Sequence, residues 1–382
     1  MRNTAPRLAM VAGEASGDLL ASLLLQGLAV RWPGLAATGI GGPLMQAQGF
    51  QAWWPSEKLS VFGYLDALRH YRELLGIRRQ LRDRLLADRP DLFIGVDAPD
   101  FNFGLEAPLK AAGIRTVHFV CPSIWAWRGE RVKTLARAAD HVLCLYPFEP
   151  PLLEKHGVAA TFVGHPLADR IPMDVPREAA RQALGLPDDA VVVALLPGSR
   201  RSEIRHIAPA LLQAAVLMVR QRPGLQFVLP VAPGLRPLIE PLVRAHAPGL
   251  ALQLLDGQSH EALAACDLTL IASGTATLEA ALYKRPMVIV YRMHGLNWHL
   301  MKGRAYQPWF GLPNILAQDF VVPERIQDAA QPETLAADAM AWLDDGPRRE
   351  RLHRHFTALH HSLRQNTALR ASDAIATILE TA

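Results

Sequence analysis

Short apolar runs alternate with longer amphipathic runs along almost the whole chain, and this alternation narrows the fold more than any other feature. A parallel strand covered on both faces reads as a continuous apolar run, and a crossover helix must follow before the next parallel strand. Runs at Leu8–Ala12, Ala37–Ile40, Leu92–Val96, Thr116–Val120 and His141–Leu145 read as strands. A shorter one, Thr161–Val163, leads into Gly164-His165-Pro166. Helical periodicity covers Asp18–Arg31, Tyr64–Asp88, Phe103–Ala112 and Arg131–Ala138. The segment 171–187, rich in proline and charge, reads as a linker. The pattern then restarts, with strands at Val191–Leu196, Gln226–Val231, Ala251–Leu255, Leu268–Ala272 and Met287–Val290. Helices Glu203–Arg220, His260–Ala265 and Thr275–Tyr283 lie between them. From Pro332 the sequence is helical and rich in Arg and His, with no further strand. An α/β protein follows, with two Rossmann-like parallel-sheet domains facing a cleft (1–168 and 188–345) and a helical tail (346–382). A length of 382 residues fits two domains better than one.

Composition removes several function classes. Half the residues are hydrophobic and 20% are charged, as in ordinary globular proteins. The formal charge of +4 favours anionic partners in general. Nucleic acid is not expected, because there is no zinc-finger spacing, RNA-binding aromatic signature or long Lys/Arg block. Cys121, Cys144 and Cys266 are far apart, so a disulfide framework is not expected and buried thiols in a reducing compartment are. Glu14 breaks the first apolar run too early for a signal peptide, and no run approaches the ~18–20 residues that span a bilayer. The expected location is cytoplasmic, with attachment to a membrane surface left open.

Two strand-to-helix turns carry the strongest chemical signal. Gly198-Ser199-Arg200 follows the strand ending at Leu196, and Ser273-Gly274-Thr275 follows the strand ending at Ala272. Small residues at a helix start let backbone N–H groups reach a phosphate, and Arg200 adds a fixed positive charge. Glu279, one turn into the second helix, is placed to accept ribose hydroxyls. The pair suggests a nucleotide sugar; each turn alone also fits an ordinary strand-to-helix connection. The first glycine loop, Gly13 to Asp18, lacks the dinucleotide fingerprint, and Gly39-x-Gly41-Gly42 matches it only in part, so hydride transfer is not expected. Glu14, Ser16 and Asp18 in that loop are candidates for contact with an acceptor, and Asp18 equally for capping its own helix.

Asp97 and Asp100 follow the strand ending at Val96. A carboxylate at a strand end can deprotonate an acceptor hydroxyl. Asp97 is the first candidate, and Asp100 is either a second acid or a helix cap. No spacing supports metal ligation. Trp125, Trp127 and Arg128 lie in a loop after another strand and suit either a sugar or acyl surface or core filling. Val61, Phe62, Leu65 and Leu68 stand beside Arg69 and Arg72, just after Trp53 and Trp54. That mixture describes either an interfacial membrane element or a core-facing helix with a basic back.

Eight runs in order, VAGEASGD, VDAPDFN, VHFVCPSIWAWR, FVGHP, LLPGSR, LIASGTATLEAAL, VIVYRM and LPNILA, resemble the bacterial lipid A disaccharide synthases along essentially the full chain. The resemblance implies the GT-B glycosyltransferase architecture, with the tail returning to the first domain. It implies an inverting, metal-independent transfer without a cofactor. The donor would be UDP-2,3-diacylglucosamine and the acceptor lipid X (2,3-diacylglucosamine 1-phosphate). The products would be the β(1→6) disaccharide 1-phosphate and UDP, made at the inner-leaflet surface of a Gram-negative cell. It aligns Asp97 with the catalytic base, Arg200 with the donor diphosphate loop and Gly274, Thr275 and Glu279 with the donor-nucleotide turn. Asn314 matches a motif at the cleft. Gln318-Asp319 departs from the family, where glycine is expected. The competing readings are a UDP-N-acetylglucosamine epimerase of the same architecture, a non-catalytic UDP-sugar sensor and a transferase acting on an undecaprenyl-linked acceptor.

Overall fold

A computed structural model describes residues 5–59, 64–126, 129–293 and 306–380. The chain divides into two compact units: Met1–Asp169 with Ser362–Ala382, and Arg170–His361.

In unit 1 the strands are β1 (Arg7–Ala12), β2 (Ala36–Gly41), β3 (Gln51–Pro55), β4 (Leu92–Val96), β5 (Thr116–Phe119), β6 (His141–Cys144) and β7 (Ala159–Phe162). Its helices are α1 (Ala15–Arg31), α2 (Pro43–Gln46), α3 (Tyr64–Asp88), α4 (Pro99–Ala111), α5 (Arg131–Ala138), α6 (Glu149–Glu154) and, at the boundary, α7 (Pro166–Arg170). The strands form one parallel sheet in the order β3-β2-β1-β4-β5-β6-β7. Helices cover both faces, so the central strands β1 and β4 are near-continuous apolar runs. Leu20, Leu24 and Leu28 of α1 pack on one face of β1 and β4. Ile77, Leu81 and Leu85 of α3 pack on the other, with Leu105 and Leu109 of α4.

Unit 2 contains α8 (Arg177–Leu184), β8 (Val192–Leu196), α9 (Arg201–Gln221), β9 (Gln226–Val231), α10 (Arg236–His246), β10 (Leu252–Asp256) and α11 (Ser259–Ala265). After these come β11 (Leu268–Ala272), α12 (Thr275–Leu282), β12 (Met287–Tyr291), α13 (Leu312–Ala317), β13 (Glu324–Ile326) and α14 (Pro332–Asp344). Its parallel sheet runs β10-β9-β8-β11-β12-β13. The helix α15 (Gly346–Leu363) leads to α16 (Thr367–Glu380), which packs on α1 of unit 1 and adds Ala371, Ile375 and Leu379 to its core.

Both sheets reverse their strand order once, between β1 and β4 and between β8 and β11. Open α/β sheets bind ligands outside such switch points, beyond the strand C-termini.

The linker reading of 171–187 needs correction, because α8 occupies its middle. Ala180 and Leu184, one turn apart, are buried, and the helix packs on α11. The fully buried Arg181 guanidinium donates to the carbonyls of Pro187, Asp188, Ala190 and Ala265, and pairs with Asp267 at 2.8 Å. A buried cation with all its nitrogens engaged is tolerated, and it fastens the segment to the sheet. Trp53 and Trp54 belong to the edge strand β3. The Arg84 guanidinium lies 3.7 Å from the Trp53 ring centre.

Candidate active site

The switch point of unit 2 carries a cavity of about 460 Å³. Gly198, Ser199 and Arg200 from the end of β8, and Ser273, Gly274, Thr275 and Glu279 from the end of β11, all line it. Gly198 has φ +111°, and a Cβ there would collide with the Glu203 carboxylate. That carboxylate, not marked by the sequence, is the organiser of the turn. It accepts from the backbone N–H groups of Ser199 (3.0 Å) and Arg200 (3.2 Å), and Arg200 Nη1 lies 3.2 Å from its other oxygen. Two amides expected to cradle phosphate are therefore already held. The turn offers the Ser199 hydroxyl and the exposed Arg200 guanidinium instead.

The N-terminus of α12 borders the same cavity. Gly274, Thr275 and Ala276 line the cavity at the positive end of the helix dipole. Thr277 Oγ1 donates to Gly274 O at 2.7 Å and tightens the first turn. Ser273 Oγ donates to Phe310 O at 2.8 Å, so its hydroxyl braces the wall. Burial raises the pKa of Glu279, against the lowering influence of His260 and Arg170. Asn314 is fully buried, with its amide bonded to both backbone groups of Val322 and to Glu324. Glu324 in turn accepts from Phe310 N and Gly311 N at 2.8 Å. Asn314 thus reaches the cavity wall through Glu324 and Phe310, and its own amide groups are engaged within the protein. Gln318, at the expected glycine position, has φ +53° and ends α13 in the left-handed region, which explains why glycine suits the site.

In unit 1, Asp97 follows β4 at the switch point. Asp97 and Ala98 both have positive φ, +52° and +42°. Each left-handed non-glycine residue costs roughly 1–2 kcal/mol. The Asp97 N–H continues the sheet by donating to Phe119 O at 2.8 Å. Asp100 stands one turn away at the start of α4, exposed and paired with Arg131 at 2.6 Å. Arg131, at the start of α5, is held by that acid. Glu14 and Ser16 are exposed at the start of α1. Asp18 is buried and accepts from Gly42 N, Leu44 N and Met45 N at 2.9–3.0 Å, which fixes the start of α2 rather than that of its own helix.

Trp125 belongs to an aromatic cluster after β5, β6 and β7. Its Nε1 donates to Glu149 Oε1 at 3.1 Å, and its ring meets Tyr146 and Phe148 edge-on. Burial pushes the Glu149 carboxyl up to about 8 and the His165 imidazole down to about 4. His165 Nδ1 accepts from Leu167 N at 3.2 Å, as a neutral ring can. Trp127, Arg128, Val61 and Phe62 lie outside the described residues. Leu65, Leu68 and Arg69 lie on α3, with side chains also outside the description, and Arg72 is exposed. Further along α3, Arg78 Nη1 donates to Asp100 O at 3.3 Å.

The three cysteines are buried free thiols. Among the described residues, no group of three or more His, Cys, Asp or Glu is arranged to hold a metal ion, and no helix is long and apolar enough to cross a membrane.

Two parallel-sheet units of Rossmann type followed by a helical tail define a GT-B class protein. Solved structures share the fold. The UDP-GlcNAc 2-epimerase from Neisseria meningitidis bound to UDP-GlcNAc matches with a TM-score of 0.64 at 12% identity, over 98% of this chain and 99% of that one. CalG4, the calicheamicin glycosyltransferase, gives 0.63 at 16% identity, over 100% and 99%. At such identities only the fold is shared. The sequence is decisive: the chain belongs to the lipid-A-disaccharide synthetase family, whose model matches residues 8–378. The lipid-A-disaccharide synthases of Verminephrobacter eiseniae and Albidiferax ferrireducens are 60% and 58% identical to it, each over 98% of this chain and 97% of the relative.

Proposed function

We propose that this chain is an inverting glycosyltransferase that moves 2,3-diacylglucosamine from UDP-2,3-diacylglucosamine to lipid X. It forms the β(1→6) disaccharide 1-phosphate of lipid A biosynthesis and releases UDP. Full-length membership of the family supports the reaction. The observation that carries the donor site is the convergence of all seven sequence-marked donor residues on one cavity at the switch point of unit 2.

In this reading the uridine diphosphate enters that cavity. Arg200 and the amides heading α12 meet the diphosphate, the Ser199 hydroxyl adds a donor, and Glu279 accepts from the ribose. Glu203 holds the turn in shape. The acceptor 6-hydroxyl attacks the anomeric carbon as the bond to UDP breaks, and Asp97 takes its proton. Charge accumulates on the leaving diphosphate, where Arg200 and the helix dipole already point. Both substrates carry acyl chains, so the enzyme works at the inner-leaflet surface from the cytoplasmic side. Val61, Phe62, Leu65 and Leu68, with Arg69 and Arg72, are the proposed contact with that surface.

The test is UDP release from UDP-2,3-diacylglucosamine in detergent and EDTA, with and without lipid X. Acceptor-dependent release with a tetra-acyl disaccharide in the mass spectrum is expected. UDP release without acceptor, or none at all, overturns the transferase reading, and a requirement for Mg²⁺ overturns the metal-independent mechanism.

A further inference from the structure

Behind Asp97 lies a polar cluster that the proposed reaction does not use. Asn102 and Glu106, one turn apart on α4, and His118 on β5 are all fully buried. They converge over Gly95, the β4 residue paired with His118 in the sheet. A Cβ at Gly95 would collide with Glu106 Oε1 and lie 3.0 Å from both Cβ and Cγ of Asn102. Glycine thus makes the space that the polar groups fill.

Two bonds organise the cluster. His118 Nδ1 and Glu106 Oε1 are 2.7 Å apart. Asn102 Nδ2 donates to Asp97 O at 2.7 Å and approaches Val96 O at 3.4 Å. Asn102 Oδ1, Glu106 Oε2 and His118 Nε2 find no partner among the described residues. An unmet buried polar group costs about 1–3 kcal/mol, so an apolar filling of this space would be more stable. Departures of this kind concentrate where function requires them. The strained Asp97-Ala98 turn sits directly above.

We propose that Asn102, beside the Glu106–His118 pair over Gly95, is a positioning residue that locks the left-handed Asp97-Ala98 turn and so fixes where the Asp97 carboxylate stands. The proposal rests on the reading of Asp97 as the base. Asn102 touches the Asp97 main chain and not its carboxylate, so it acts through backbone geometry. A displacement of about 1 Å in a reacting group can lower turnover by about a hundredfold.

The experiment is a double-mutant cycle between Asp97→Asn and Asn102→Ala, with Asn102→Asp as the isosteric variant. Asn102→Ala is expected to lower kcat by about tenfold to a hundredfold, with KM for both substrates within about twofold. In the Asp97→Asn background it should lower kcat no further, because the group it positions is gone. Asn102→Asp keeps a donor only while its buried carboxyl is protonated, so its kcat relative to the wild type should fall as pH rises. Loss in Asp97→Asn without loss in Asn102→Ala overturns the positioning role alone, as does full additivity of the two losses. If Asn102→Ala does not fold, a pH-independent ratio for Asn102→Asp overturns it. Wild-type turnover in Asp97→Asn overturns the base and its positioning residue together.

Discussion

The two switch points share a topology and differ in what stabilises them. In unit 2 the turns after β8 and β11 are built from small residues, and polar atoms face an open cavity. One carboxylate, Glu203, organises the first turn from its own helix. In unit 1 the corresponding positions are braced from below. Asp18 ties the first turn to the start of α2, and Asn102 ties the end of β4 to the buried face of α4. An anion site needs donors in the open, whereas a base needs one carboxylate held still.

The proposed division of labour breaks most readily at Asp97 and Arg200. Asp97→Asn should lower kcat by about 10²–10⁴ and leave UDP affinity unchanged. Arg200→Ala should lower kcat by about 10²–10³ and also weaken UDP binding, measured by calorimetry. Weaker UDP binding in the Asp97 variant would erase the distinction. A matched pair of glycines sharpens it. Gly198→Ala meets Glu203 at a positive φ, so a thermal midpoint several degrees lower and weaker UDP binding are expected. Gly95→Ala meets Glu106 and should lower kcat at unchanged UDP affinity.

A smaller effect concerns pH. The folded-state pKa of Glu149 is raised from its ordinary value of 4.5 to about 8, so between these values the native state holds a proton that the unfolded chain releases. Stability from this group is complete below pH 4.5 and declines towards pH 8. His165 is lowered from 6.5 to about 4, and its contribution is lost as pH falls through that window. The two oppose each other in mildly acidic solution and Glu149 acts alone above it. Glu149→Gln should therefore gain stability over the wild type as pH rises from 6.5 to 8, followed by denaturant titration. Smallest of all, Asp100→Asn breaks only an exposed ion pair. It should change stability by less than about 1 kcal/mol and leave kcat within about threefold.

Much of this was legible in the sequence because it is local. Leu92–Val96, Gln226–Val231 and Leu268–Ala272 are strands at the residues their apolar runs mark. The glycine turns announce the cavity through spacing alone. What stayed hidden depends on distance or on competition for the same atoms. Glu203 capturing two amides looks like any first-turn acid, and Asp18 finds its partners 24–27 residues away. The convergence over Gly95 requires the β4–β5 register, which no pattern within a single segment reveals. For α8, the Ala180–Leu184 spacing was readable, but proline and charge on either side masked it.

The return of the chain to unit 1 has a consequence for biosynthesis. Gly27 of α1 stands so close to Ala368 that a Cβ would strike its carbonyl oxygen. Asp169 accepts from Asn366 N and Thr367 N, and His165 N donates to Leu363 O. Until those residues leave the ribosome, Leu24 and Leu28 face a missing helix. Unit 2 is then a continuous stretch that can close on its own as it emerges, while the unit begun first waits, half-covered, for a segment made only after all of unit 2. A nascent chain stalled between the two should offer that bare flank to a chaperone.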